Sequence, residues 1–316
     1  MGHIPPEGSE YRHLAYVLPR DATVPPAVHT LLAAAAHRGQ HIVLACPAPL
    51  ADALRAPLGG ADVQTVAPVP QGRPPETVAT LAALVDRELP ESARLCLVTT
   101  ASPTGDWDAC LQTDALLNHV LAERPVDHLC LLVPGPADGG ADPADLARAT
   151  HPELLGDDGP EANADYREPA ELLRELQSSR GPDPIETTEP ALSLPDLEDM
   201  RTLRRAVNRV LADSRLDPDA AQDFVLAIDE VTANAAEHGV PPVDVHLWCA
   251  PDRMVCTISD HGSCFDDPLA GYGPAHGDMV VGGMGLWLAR RSVDSLTASP
   301  TDGSGHGCTV RLVVRA

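Results

Sequence analysis

Residues 227–239 read Ala-Ile-Asp-Glu-Val-Thr-Ala-Asn-Ala-Ala-Glu-His-Gly. On a helix turning about 100° per residue, Phe224, Ile228, Val231 and Ala235 form one apolar stripe. Glu230, Asn234 and His238 lie at i, i+4 and i+8 and make a single ladder along the edge of that stripe. A carboxylate, an amide and an imidazole are thereby aligned beside a buried face. Three polar residues at this spacing also suit a solvated helix flank, so the decision rests on the residues downstream of them.

Three short motifs lie there. Asp260-His261-Gly262 ends a strand-like run, where an aspartate can point into a pocket beside a close backbone approach. Gly282-Gly283-Met284-Gly285-Leu286 opens a helix and leaves backbone N–H groups free for an anion. Gly307-Cys308-Thr309-Val310 begins the final strand and carries a hydroxyl. The pattern predicts helices over 197–214 and 218–238, strands over 243–250 and 254–259, an irregular stretch over 261–282, a helix over 284–293, and strands over 295–299 and 308–314. Helices and a hairpin-built sheet in separate blocks indicate an α+β layer.

Upstream, the periodicity is different. Short apolar runs at 13–18, 41–46, 63–67, 95–99 and 128–133 alternate with amphipathic stretches at 26–38, 49–56, 75–88 and 106–122. Continuous apolar strands separated by helices predict a doubly wound α/β domain with a parallel sheet. The turns after these strands are polar and carry no phosphate-binding glycine pattern. Residues 135–166 read as loop-rich and 168–178 as a helix. Residues 181–200 hold four prolines, six acids and no base, the composition of an extended, self-repelling linker. The expected division is an α/β domain over 12–180, a linker over 181–195 and a second domain over 196–316.

Composition narrows the chemistry. Asp+Glu total 46 against Lys+Arg 22, a formal net charge of -24, and every one of the 22 basic residues is arginine. Without lysine there is no standard P-loop, no Schiff-base amine and no pyridoxal-phosphate anchor. The acid excess argues against nucleic acid or an anionic membrane as the main partner. The longest apolar run, 31–36, is far short of the ~20 residues that cross a bilayer, and a cytoplasmic location is expected. The eight cysteines form no CxxC pair and read as free thiols of a reducing compartment.

Taken together, the ladder and the three motifs make 195–316 similar to the GHKL (Bergerat) ATPase fold, an α/β sandwich, in its branch of anti-sigma-factor serine kinases. Glu230 to Gly239 resembles the N box, Asp260-His-Gly262 with Phe265 and Asp267-Pro268 the G1 box, and Gly283-Met-Gly285-Leu286 the G2 box. The resemblance implies that Asn234 coordinates Mg²⁺ on ATP and that Glu230 is the base toward a protein serine, with His238 closing the N box. It implies that Asp260 accepts from the adenine amino group, that Gly262 gives it room and that Thr309 assists. Gly283, Gly285 and Leu286 then offer the G2 box to the phosphates, beneath a lid over 266–282. Two departures stand out. Cys264 occupies the second glycine position of the G1 box, and the lid contains neither arginine nor lysine.

Residues 12–178 resemble the MEDS sensory domain, through His13 at the first strand, His151-Pro-Glu-Leu-Leu and Asn163-Ala-Asp-Tyr166. This implies a RecA-like α/β domain that senses a small ligand; His13 reads equally as a structural or a sensing histidine. The combined expectation is a sensory anti-sigma regulator. It binds Mg·ATP and a sigma factor, phosphorylates a STAS-type anti-anti-sigma protein on serine, and forms a homodimer, the last by resemblance only. Two other readings stay open: a sensor histidine-kinase-like ATPase served by a separate phosphoacceptor, and a non-catalytic nucleotide-gated adaptor.

Overall fold

The computed structural model describes residues 11–21, 23–89, 94–102, 106–135, 142–179, 181–265, 267–272, 284–301 and 307–316. The chain divides into two units, Met1–Leu172 and Leu173–Ala316.

Unit 1 runs β1 (Tyr11–Val17), α1 (Pro26–His37), β2 (His41–Ala45), α2 (Ala48–Arg55), β3 (Val63–Thr65), α3 (Pro74–Glu88), β4 (Leu95–Ala101), α4 (Trp107–Val120), β5 (Val126–Leu132), α5 (Pro143–Thr150), β6 (Glu153–Gly156) and β7 (Gly159–Ala162). Its sheet has the order β3-β2-β4-β5-β1-β6-β7, parallel throughout except for the β6–β7 hairpin. From β1 the chain first winds outward to β2 and β3. Here α1 and α2 pack on the face that carries Leu14, Ile42, Leu44, Val98 and Leu129. It then returns through β4 and β5 to β6, and α5 lies against β1. Side chains alternate along a strand, so the other face carries Tyr11, His13, Thr99, His128 and Cys130. The reversal between β1 and β5 is the double winding expected of the alternating pattern. Within 135–166, read as loop, lie α5 and the β6–β7 hairpin; their runs are too short to show a period.

Unit 2 begins within α6 (Pro169–Ser179) and continues through a 3-10 turn (Pro184–Thr187), β8 (Leu192–Leu194), α7 (Met200–Leu211), α8 (Pro218–His238), β9 (Asp244–Cys249), β10 (Arg253–Asp260), α9 (Met284–Arg291), β11 (Ser295–Pro300) and β12 (Cys308–Arg315). Its sheet is antiparallel, in the order β11-β12-β10-β9-β8. Phe224, Ile228 and Val231 of α8 and Leu203 and Val207 of α7 pack against Cys256, Ile258, Val310 and Leu312. Both helices start where an aspartate satisfies the first free N–H groups: Asp199 accepts from Arg201 and Thr202, and Asp217 from Asp219. The cap at Asp199 is why α7 starts at Met200 and not at 197.

The stretch 181–195, read as a self-repelling linker, falls inside unit 2. Two of its three acids meet arginines: Asp183 pairs with Arg253 at 2.7 Å and Glu186 with Arg311 at 2.8 Å. Arg253 holds the Asp183 carboxyl below the usual carboxylate range. The Trp248 indole donates to the Thr188 carbonyl at 3.0 Å, and β8 extends the sheet beside β9. Composition showed the like charges but not the arginines that face them. A second correction concerns the thiols: six cysteines are free, whereas Cys264 and Cys308 form a disulfide. Among the described residues no helix is long and apolar enough to cross a membrane.

Candidate functional site

The helix α8 carries the ladder because Pro218 and its Asp217 cap fix the start while the apolar stripe fixes the rotation. Glu230 and Asn234 then emerge half-buried at the edge of the packed face. They converge on the first turn of α9. A Cβ at Gly285 would lie 2.6 Å from Glu230 Oε2 and 3.7 Å from Asn234 Oδ1. Only a residue without a side chain lets the carboxylate and the amide approach the helix start this closely. Met284 beside it is 54% exposed, so this corner opens to solvent. Gly283 and most of the lid expected over 266–282 lie outside the described residues.

Asp260 ends β10, 7% exposed, in a cradle of two glycines. Its Oδ1 accepts from the Gly262 N–H at 2.6 Å and the Val240 N–H at 3.3 Å. A Cβ at Gly262 would sit 2.7 Å from that oxygen, and one at Gly239 would sit 2.6 Å from the Asp260 carboxyl carbon. Two backbone donors thus orient the carboxylate, and both bonds land on one oxygen.

The structure separates Thr309 from this group. Thr309 pairs with Ser259 and Cys308 pairs with Asp260, so strand alternation puts Thr309 on the opposite face of the sheet from Asp260. There its hydroxyl bonds Ser259 Oγ at 2.8 Å and Thr301 Oγ1 at 2.9 Å. Cys308 occupies the place across from Asp260 and ties to Cys264 of the G1-like segment. His238 is exposed in the last turn of α8, one turn beyond Asn234. Leu286 packs over Gly271, whose φ of +77° and missing side chain admit it at what would be 2.7 Å from a Cβ.

One residue that motif reading passed over is Arg290, 2% exposed. It donates to the Ala270 carbonyl at 2.8 Å, to the Tyr272 hydroxyl at 2.8 Å and to the Leu296 carbonyl at 3.2 Å. Its guanidinium lies 4.0 Å over the Tyr272 ring. Burial lowers its pKa, while Tyr272 opposes that shift. It bolts the segment 267–272 to α9 and is committed to that contact. The only cue in the sequence was an arginine at a helix position otherwise apolar.

Residues 194–314 match the family model described as a histidine kinase-like ATPase domain, and the chain carries such a domain there. Among solved structures, the NMR structure of the histidine kinase domain of the E. coli osmosensor EnvZ is similar at 17% identity. That match covers 41% of this chain and 91% of that one, with a TM-score of 0.24. No curated protein matches the chain.

Proposed function

We propose that unit 2 binds ATP with Mg²⁺ and, in doing so, controls a protein partner. The observation that carries this reading is the convergence of Glu230 and Asn234 on the glycine-opened start of α9. An amide oxygen suits a hard cation, and unpaired helix N–H groups suit phosphate oxygens. Both are what a nucleotide site without lysine needs. The glycine cradle around Asp260 fits a purine edge, because a fixed carboxylate can accept from an exocyclic amino group.

In this reading Asn234 holds the metal, Gly285 and Leu286 with Gly283 present backbone donors to the phosphates, and Asp260 orients the base. Bound Mg·ATP supplies an activated phosphoryl group. Glu230 takes the proton from an incoming serine hydroxyl as that oxygen attacks. With Thr309 on the far face, Cys308 stands across from Asp260 in its stead. Arg290 is engaged elsewhere, so a cation for the transferred phosphoryl comes from another part of the chain or from the partner.

The fuller proposal is a sensory anti-sigma regulator acting in the cytoplasm as a homodimer. Its RecA-like, MEDS-like first unit reports a small ligand. Its second unit binds a sigma factor and phosphorylates a STAS-type antagonist on serine. The net charge of -24 supports a basic protein surface as the partner. The test is labelled ATP incubated with the chain and a STAS partner. Transfer to serine that Glu230→Gln abolishes, with ATP binding kept, supports the reading. Transfer that survives Glu230→Gln removes the base role, and binding without any transfer leaves the nucleotide-gated adaptor. Label on a histidine of an added phosphoacceptor protein favours the histidine-kinase-like ATPase.

A further inference from the structure

Unit 1 holds a second constellation, independent of the nucleotide reading. His13 on β1, Cys130 on β5 and His151 at the end of α5 are all buried. One ligand atom from each lies within 4.8 Å of the other two. The parallel register explains the meeting, since His13 stands beside His128 and Ala15 beside Cys130, and the side chains of 13, 128 and 130 share a face. His13 stacks on His128 with ring centroids 4.7 Å apart and approaches His151 at 4.0 Å.

The tautomers follow from the surrounding bonds. Asn118 donates its amide to the Thr150 carbonyl at 2.7 Å, which turns its Oδ1 toward His13 Nδ1 at 2.9 Å. His13 therefore carries its proton on Nδ1 and a lone pair on Nε2. Thr150 gives its one hydroxyl proton to the Leu146 carbonyl at 2.7 Å and so accepts from His151 Nδ1 at 2.9 Å. Asp114 lies 3.2 Å from the same hydroxyl. His151 thus also presents an Nε2 lone pair. Both Nε2 atoms are buried without a hydrogen-bond partner among the described residues. An acceptor buried without a donor loses its hydration uncompensated, and two in one cluster ask for an occupant. His128 is different: Tyr11 and Thr99 take its two ring nitrogens at 2.8 Å each.

We infer that His13 Nε2, His151 Nε2 and Cys130 Sγ form a binding site for a thiophilic transition ion of the Zn²⁺ class. Two imidazoles whose Nδ1–H groups are held by outer acceptors, plus one thiolate, make a three-ligand set that leaves a fourth position open. Side-chain movements of about 1 Å close the present spacing to Zn–N of about 2.0–2.1 Å and Zn–S of about 2.3 Å. Burial keeps the imidazoles neutral, with His13 pushed down to about 4 and His151 also lowered, which is the form that ligates. Cys130 enters as a thiol, its pKa raised by burial, and loses its proton to solvent as the Zn–S bond forms. A cavity lined by Thr99, Asp114, His128 and Cys130 adjoins the cluster on the Cys130 side.

The test uses the full chain without an affinity tag, stripped by a chelator and titrated with Co²⁺. One equivalent should bind and give a thiolate-to-cobalt charge-transfer band that Zn²⁺ abolishes. Cys130→Ser should remove the band, His13→Gln should weaken binding at least tenfold, and Cys110→Ser, lining the same cavity, should leave it intact. X-ray absorption on the Zn²⁺-loaded wild type should show one sulfur and two imidazole nitrogens, a readout that needs no variant to fold. Absence of the band in the wild type, its survival in a folded Cys130→Ser, or a sphere without sulfur overturns the site. ATP binding is expected to be unchanged by these variants, so failure here is separable from failure of the nucleotide reading.

Discussion

Replacing Arg290 by methionine keeps the stem of the side chain and deletes its guanidinium. The Ala270 and Leu296 carbonyls and the Tyr272 hydroxyl then lose a donor inside a nearly closed environment. Hydrogen bonds from a charged donor contribute about 1.5–3 kcal/mol each. Part of that sum is offset because the variant no longer desolvates a guanidinium. The net expectation is a local loss of about 2–4 kcal/mol, a large share of the 5–15 kcal/mol that holds a domain. Arg290→Lys should recover only part of it, since an ammonium cannot span three acceptors as a planar fork does. The loss should concentrate in 267–272 and α9, the pieces this residue joins. Native-state amide exchange is the assay: protection there should fall about 30- to 700-fold, taking about 1.4 kcal/mol per decade. Protection in β1 and β5 of unit 1 should not change. Wild-type exchange at 267–272 in a folded Arg290→Met would refute the claim that Arg290 anchors this segment.

Gly285→Ala presses a methyl group against Glu230 Oε2, the movable end of a side chain. Stability should hold within about 0.5 kcal/mol while Glu230-dependent turnover drops about 100-fold; calorimetry beside a labelled-ATP assay checks both, and unchanged turnover counts against the base. Metal-free unit 1 should lose stability as pH falls from 6.5 toward 4, because unfolding lets His13, lowered to about 4, take up a proton it refuses when folded. His128 and His151 act in the same direction. Asp114, raised to about 7, works against them: it loses stability as pH rises through that window. Three groups outweigh one, so urea midpoints should climb from pH 4.5 to 6.5, less steeply in His13→Gln; equal slopes would contradict this. Thiol titration in denaturant without reductant should count six free thiols, two fewer than the eight cysteines. Reducing the Cys264–Cys308 bridge, which spans 44 residues, should cost unit 2 about 2–4 kcal/mol; a count of eight refutes the bridge.

Periodicity carried most of the architecture. The runs at 41–46, 95–99 and 128–133 are the central strands, and the ladder on α8 lies where helical projection puts it, because both depend on neighbours in sequence. What escaped depends on partners far along the chain. His13, Cys130 and His151 meet only through the β1–β5 register and the return of α5, which no local pattern encodes. The acids of 181–195 looked self-repelling because Arg253 and Arg311 lie 70 and 125 residues away from their partners. Thr309 shows how sharp the limit is: its motif position was legible, but a step of one residue along β12 decides which face it serves. The Cys264–Cys308 bond has the same origin, since spacing alone named no pair among eight cysteines.

The central claim is a nucleotide site at Asn234, Asp260 and the start of α9, and calorimetric titration of the full chain with ATP tests it most directly. One ATP should bind per chain, more tightly with Mg²⁺ than with EDTA. Asn234→Ala should erase the Mg²⁺ dependence, and Asp260→Asn should weaken binding at least tenfold. Absence of ATP binding by the folded wild type, or binding indifferent to both substitutions, would contradict the account.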